Sequence, residues 1–497
     1  MIPAKKTKNQ NKKEVIKMTK KRNSTLSIVA SIALAMVLCL AAALPAMAAE
    51  PIYSSGTDAD NPAQAAITKV LKMPANTTVP KGEFIFRFDK VGMNDPLDDS
   101  KKAGMPDINN VTINFVAGVD PAGGTFIVGE TKYAVKESEN FLAGLIGENV
   151  WKNGEGTYKY TVSENYKEPA PAKNSSIEFD DPTKEGVRYS EAIYDVEIWV
   201  EKDNKGKLFP KYVAVKIKKG SSDEYYWVDG EPGDEAEKVN PKPGGAGVKP
   251  GDPASIENSF SQVIFTNRYW KNIGGGEVDP TKTALEIVKN VTGNGSSIED
   301  YFTFKVTLIK HAMIPDGTPV KPCLAYILDE KNNIIKIDPD KNYSGIIAKD
   351  KNNKDCIEFY YGDVLTVNLK HGQRLAFVNL YVGTLVKVVE AGDTKYTPKY
   401  KRTFSKVENI DEFVGEAGKD WGFPLVTNIE DKGPHYIEDG ANKNIVTFIN
   451  VRTGATPMGI STDNLPFIVL IGIGLCALAG FTVFRARRNA RYYAQED

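Results

Sequence analysis

Two short stretches each set a lysine among apolar side chains. In Ala66-Ile67-Thr68-Lys69-Val70-Leu71-Lys72-Met73, alternate residues of an extended chain share a face, so Lys69 joins Ile67, Leu71 and Met73. In Leu285-Glu286-Ile287-Val288-Lys289-Asn290-Val291, Lys289 joins Leu285, Ile287 and Val291, while Glu286 and Asn290 look away. Burying an ammonium is costly unless it is paired, neutralised or consumed. The same count puts Glu164 with Tyr158, Tyr160 and Val162, and Glu390 with Val386 and Val388. It puts Asn267 with Val263 and Phe265, and Asn450 with Val446 and Phe448. A lysine, a glutamate and an asparagine on apolar faces, twice over, can form amides. An apolar core favours the neutral forms of amine and carboxyl. The amine can then attack the carboxamide and release ammonia, with the protonated carboxyl donating to the amide oxygen and shuttling protons. Each site reacts once and regenerates nothing, so this is maturation chemistry and the chain is not an enzyme. Lys72, the rival to Lys69, lies on the other face with Thr68 and Val70.

Strands must deliver these groups. From Ala49 onward, short alternating runs such as Glu83–Phe88, Gly156–Val162, Tyr194–Val200 and Tyr212–Ile217 are broken by Gly, Pro, Asn and Asp. That pattern predicts an all-β chain of antiparallel sandwiches. A first module is expected over 49–270, a linker containing the Gly274-Gly275-Gly276 run over 271–281, and a second module over 282–452. The modules echo each other as a weak internal repeat. Each has a lysine strand, then an aromatic strand (Phe84-Ile85-Phe86 and Phe302-Thr303-Phe304), a strand ending in glutamate and a strand ending Phe-x-Asn. The segment Asn240–Gly247 is too rich in Pro and Gly for a strand and is expected to be a loop.

Both ends are built differently. Lys20, Lys21 and Arg22 precede an apolar run from Leu26 to Leu44 and then Ala46-Met47-Ala48, the form of a secretory signal over 1–48. A second apolar run, 465–484, is long enough to span a bilayer. The basic tail 485–497, with Arg485, Arg487, Arg488 and Arg491, holds its end in the cytoplasm. Upstream, within 453–464, stands Thr456-Pro457-Met458-Gly459. Short motif, apolar span and basic tail resemble a Gram-positive cell-wall sorting signal, which implies a sortase as partner and cleavage before Gly459. Met458 stands where the Val-Pro-Thr-Gly variant has Thr; Thr453-Gly454 is the fallback site, and a plain membrane anchor is the alternative.

Of 63 basic and 64 acidic residues, 13 and 4 lie in the two ends (1–48 and 459–497), leaving 50 and 60 and a net charge of −10. An acidic exported region argues against nucleic acid and anionic lipid as partners. Outside the two ends the cysteines are Cys323 and Cys356, too few for a disulfide scaffold but able to pair in an oxidising exterior. No metal or cofactor is expected. His311, His371 and His435 lack ligand spacing, and the Asp338-Asp340-Asn342-Ser344 alternation has Tyr343 and Lys349 where a calcium loop needs Gly and Glu.

Taken together, Ile67-Thr68-Lys69, Tyr160-Thr161-Val162-Ser163-Glu164 and Ile264-Phe265-Thr266-Asn267 in the first module, and Glu286-Ile287-Val288-Lys289, Val388-Val389-Glu390 and Val446–Asn450 in the second, resemble a Gram-positive major (backbone) pilin with streptococcal-type isopeptide-linkage domains. The resemblance implies immunoglobulin-like (CnaB/pilin-type) sandwiches, with a Lys69–Asn267 bond assisted by Glu164 and a Lys289–Asn450 bond assisted by Glu390. It also implies a wall-anchored pilus subunit whose partners are a sortase, further copies of the subunit and surface ligands of a host. A non-polymerising adhesin or pilus-tip protein is the alternative. Lys211, in Phe209-Pro210-Lys211, distantly resembles a pilin motif, and the acceptor lysine for polymerisation stays unassigned.

Overall fold

The structure, a computed structural model, describes residues 53–452 and 465–493, apart from 123, 168–172, 180–183, 221–237, 245–259, 315–321, 339, 342, 404–411, 424–435 and 441–443. The expected signal (1–48) and the sorting motif Thr456, Pro457, Met458 and Gly459 lie outside the described residues, as do Asn342 and His435.

In the first module the strands that matter are β1 (Thr68–Pro74), β2 (Gly82–Met93), β3 (Thr131–Glu137), β4 (Gly156–Glu164), β5 (Glu185–Arg188), β6 (Ile193–Lys202), β7 (Leu208–Lys219) and β8 (Ile264–Ile273). One sheet runs β7-β6-β4-β2. The other sets β8 beside β1 and β1 beside β3, with β5 on the free side of β8. Alternation dictates the layers: Tyr158, Tyr160 and Val162 of β4, Phe84 and Phe86 of β2, and Ile67, Leu71 and Phe265 all enter one core. β1 is covered on its outer face too, where Val70 packs with Phe126, Tyr133, Val135 and Ile264. Lys72 lies on that outer side with its ammonium over the Tyr133 ring.

The second module repeats the plan with β9 (Leu285–Thr292), β10 (Phe302–Ile309), β11 (Cys323–Leu328), β12 (Asp355–Phe359), β13 (Val364–Leu369), β14 (Arg374–Phe377), β15 (Leu380–Tyr381), β16 (Leu385–Glu390), β17 (Thr397–Thr403) and β18 (Ile445–Val451). One sheet contains β12-β11-β14-β9-β18-β17, the other β13-β10-β16. In both modules the strand that carries the lysine pairs in parallel with the strand that carries the asparagine, β1 with β8 and β9 with β18. A parallel neighbour cannot be reached by a hairpin, so most of each module lies between the two strands in sequence.

The boundary between modules differs from the linker expected at 271. β8 continues to Ile273, whose side chain joins the second core, and pairs Asn272 with Tyr381 and Ile273 with Leu380 of β15. The chain turns only at Gly274 (φ +104°), where a Cβ would fall 2.1 Å from the Val378 carbonyl oxygen. Asp439 ties the modules further, accepting from the Thr78 N–H (3.1 Å) and facing Lys271 at 3.5 Å.

Past the second module, α1 (Leu465–Tyr493) contains a 19-residue stretch, Val469–Arg487, of mean hydropathy 2.0. By length and composition it can cross a membrane.

Candidate functional site

Lys69 enters the first core from β1. Asn267 enters from β8, where the register places Phe265 beside Lys69 and Asn267 beside Leu71. The carboxamide is therefore two residues further along the neighbouring strand, on the same face. Glu164, the last residue of β4, reaches in from the opposite sheet. Lys69 and Asn267 are 0% exposed and Glu164 5%. Lys69 Nζ donates to Glu164 Oε2 at 2.8 Å, and Asn267 Nδ2 donates to Glu164 Oε1 at 2.9 Å. The Phe84 and Phe86 rings stand 4.8 and 5.9 Å from the ammonium and exclude water. The carbonyl side of the same amide is held too: Asn267 Oδ1 accepts the Ser190 N–H at 2.7 Å.

The second site has the same register, with Phe448 beside Lys289 and Asn450 beside Val291. Lys289, Glu390 and Asn450 are 0, 1 and 2% exposed. Lys289 Nζ and Asn450 Nδ2 both donate to Glu390 Oε1, at 2.8 and 2.6 Å. Phe302 and Phe304 take the places of Phe84 and Phe86, 4.3 and 6.0 Å from the ammonium. Burial outweighs the attraction of Glu390 and holds the Lys289 pKa down at about 8, while burial also raises that of Glu390. Both shifts favour a neutral amine beside a neutral carboxyl. A buried ion pair is weak support for a fold, because desolvation can exceed the Coulombic gain. In both sites the amine and the carboxamide are held against one carboxyl, the arrangement that gives reacting groups a high effective concentration.

Cys323 and Cys356 are both free, which corrects the disulfide expectation. β11 pairs with β12 so that Ala325 faces Ile357 and Cys323 faces Phe359. The two thiols therefore point to opposite faces of one sheet, Cys323 into the main core and Cys356 into the cluster of Tyr326, Leu328, Ala376 and Val378. Among the described residues no group of three or more His, Cys, Asp or Glu could hold a metal. His311 packs between the modules, its Nε2 2.9 Å from the Glu130 carbonyl oxygen, and His371 Nδ1 accepts from the Val291 N–H. Lys211 is half-buried beside Glu201.

The Phe-x-Phe strands are visible in the sequence, but their role as lids over the ammonium emerges only from the structure. A face count points to it, since both phenylalanines of each pair must face inward. Ser190 carries no such signal, because its contribution is a main-chain N–H.

Residues 65–225 match the family described as the Spy0128-like isopeptide containing domain, and residues 283–452 match a domain of unknown function, DUF7601. The first match contains Lys69 and Glu164 and ends before Asn267. No curated protein matches the chain. Among solved structures, the major pilin from Streptococcus pyogenes is similar at 17% identity, covering 79% of this chain and 99% of its own, with a TM-score of 0.27. The T-13 major pilin from the same organism is similar at 14% identity, covering 81% and 99%, with a TM-score of 0.24. At these scores the superpositions carry no weight; the family match and the doubled triad do. The family match covers residues 65–225 and speaks for that stretch. That stretch, within the first module, belongs to the Spy0128-like isopeptide containing domain family.

Proposed function

We propose that the chain is a shaft subunit of a cell-surface pilus, stitched shut in each module by a self-formed lysine–asparagine bond and joined to the wall or to its neighbours by a sortase. The observation that carries this reading is the repeated triad, buried, with the lysine and asparagine strands paired in identical register in each module. The neutral amine attacks the asparagine Cγ, the Cγ–Nδ2 bond breaks, and ammonia leaves with the proton that the lysine gives up, passed through the glutamate. In the first module a cleft of about 230 Å³ lined by Glu164 and Ser190 gives the ammonia a way out. Each bond ties together the two strands at which tension enters and leaves the module, so pulling on the ends cannot unzip the sheet.

The apolar helix holds the chain in the membrane until the Thr456–Gly459 region is cut, and the acyl group then passes to an amine of the wall or of another subunit. The working location is the cell surface of a Gram-positive bacterium. Immunoblots of wall extracts test the assembly: a ladder of high-mass species supports a polymer, whereas one discrete band would make the chain a non-polymerising adhesin or tip protein. Thr456→Ala and Pro457→Ala should collapse the ladder if that region is the sorting motif, and an unchanged ladder would shift cleavage to another site.

A further inference from the structure

The two triads differ around one atom, and the meaning of that difference rests on the bond formation proposed for both modules. In the first, the asparagine amide is fixed at both ends: Nδ2 donates to Glu164, and Oδ1 accepts the Ser190 N–H. In the second, Asn450 Oδ1 and Glu390 Oε2 are buried with no hydrogen-bond partner. The reason lies in the strand that flanks the asparagine on its other side. β5 pairs with β8 only from Lys271 to Arg268 and ends at Arg188, one residue short of the level of Asn267. Beyond it the chain leaves the ladder, a bend held by the Ala192 N–H donating to Ser190 Oγ at 3.2 Å, and the Ser190 N–H turns to the side chain. β17, its counterpart, runs past that level and sets Pro398 opposite Asn450. Proline has no N–H to give.

We propose that the Ser190 main-chain N–H is the oxyanion donor of the first module, and that the second module, with proline at the flank, closes its bond more slowly and through Glu390 alone. As Lys69 Nζ bonds to Asn267 Cγ, the carbonyl electrons move onto Oδ1, into the donor already aimed at it. Collapse breaks Cγ–Nδ2, and Glu164, whose Oε1 faces Nδ2, passes the lysine's proton to the departing ammonia. In the second module one carboxyl must meet both the oxyanion and the leaving nitrogen. Loss of a single oxyanion-hole donor costs about 10²–10³ in rate where it has been measured in other systems.

The test tracks both bonds in one molecule. The full chain is made by cell-free translation with detergent micelles, quenched in acid at intervals and digested, and the two cross-linked peptides are quantified by mass spectrometry. The Lys69–Asn267 peptide is expected to appear at least about tenfold faster than the Lys289–Asn450 peptide. Ser190→Pro, which deletes the N–H, should slow the first about 100-fold and leave the second unchanged. Ser190→Ala, which keeps the N–H but loses the Oγ that holds the bend, should slow the first bond less than Ser190→Pro does and leave the second unchanged. Equal rates, or the second bond forming first, would overturn the proposal, as would a Ser190→Pro chain that closes its first module at full speed. Should that variant fail to fold its first module, the order of appearance in the unaltered chain still decides. If neither peptide forms, bond formation itself is disproved and the oxyanion role goes with it.

Discussion

Asn450→Ala should remove the proposed second bond while leaving the Lys289–Glu390 contact in place. The two joined residues are 161 apart in sequence. Constraining the unfolded chain over a loop of that length stabilises by about 5 kcal/mol in the chain-entropy treatment used for disulfides. For a domain of this size each kcal/mol moves the melting temperature by roughly 2–4 °C, so the second transition should fall by about 10–20 °C. Losing the side chain at a 2%-exposed position only adds to that. Calorimetry of the unaltered chain and of Asn450→Ala should show the second module's transition moving down while the first stays. Asn267→Ala should do the reverse, since its loop is longer by only a few tens of residues. If Asn450→Ala shifts no transition by more than about 3 °C, the second cross-link is refuted, because a closed loop of this length cannot be opened without a loss of stability.

Three further outcomes are expected. With Lys289 unspent in Asn450→Ala, its folded pKa of about 8 lies below the ordinary 10.5, so the unfolded chain binds the extra proton between those values. Stability should then rise as pH climbs from about 8 to 10.5, by at most about 3 kcal/mol, a rise that Lys289→Ala/Asn450→Ala lacks in chemical denaturation; a flat difference contradicts it. Burial raises the thiol pKa of Cys323 to about 12 and of Cys356 to about 11, so native alkylation should label neither and reduction should add no mass, whereas a gain of about 2 Da would mean a disulfide. Gly383, at φ +81° with Pro74 Cβ 2.6 Å from where a Cβ would sit, should not accept Ala. Gly383→Ala is expected to cost roughly 1–3 kcal/mol and to separate the two calorimetric transitions, and an unchanged trace would show the contact between modules to be soft.

Much of this architecture was legible because a sandwich strand exposes its faces in alternation. Lys69, Glu164 and Asn267 each sit in a run whose partners at i±2 are apolar, and that alone put them inside. What period two cannot supply is pairing between strands. That Asn267 is level with Leu71, and Asn450 with Val291, depends on parallel neighbours almost 200 and about 160 residues apart; the resemblance to pilins supplied the pairing that the residues alone left open. Register also decided the cysteines, since Ile357 rather than Cys356 shares the main core face with Cys323. The linker was misplaced because Gly274-Gly275-Gly276 reads as a break, and nothing in Lys271-Asn272-Ile273 says that Ile273 finishes a strand in the next module's core. Ser190 was invisible for a plainer reason: it acts through a group that every residue but proline carries.

The most direct measurement is the intact mass of the purified exported region, together with sequencing of its cross-linked peptides. Each amide formed from an amine and a carboxamide expels one ammonia, so the chain should weigh about 34 Da less than its sequence requires, with Lys69 joined to Asn267 and Lys289 to Asn450. Lys69→Ala and Lys289→Ala should each restore about 17 Da. A mass equal to that of the sequence, in protein whose modules are folded, would contradict the account.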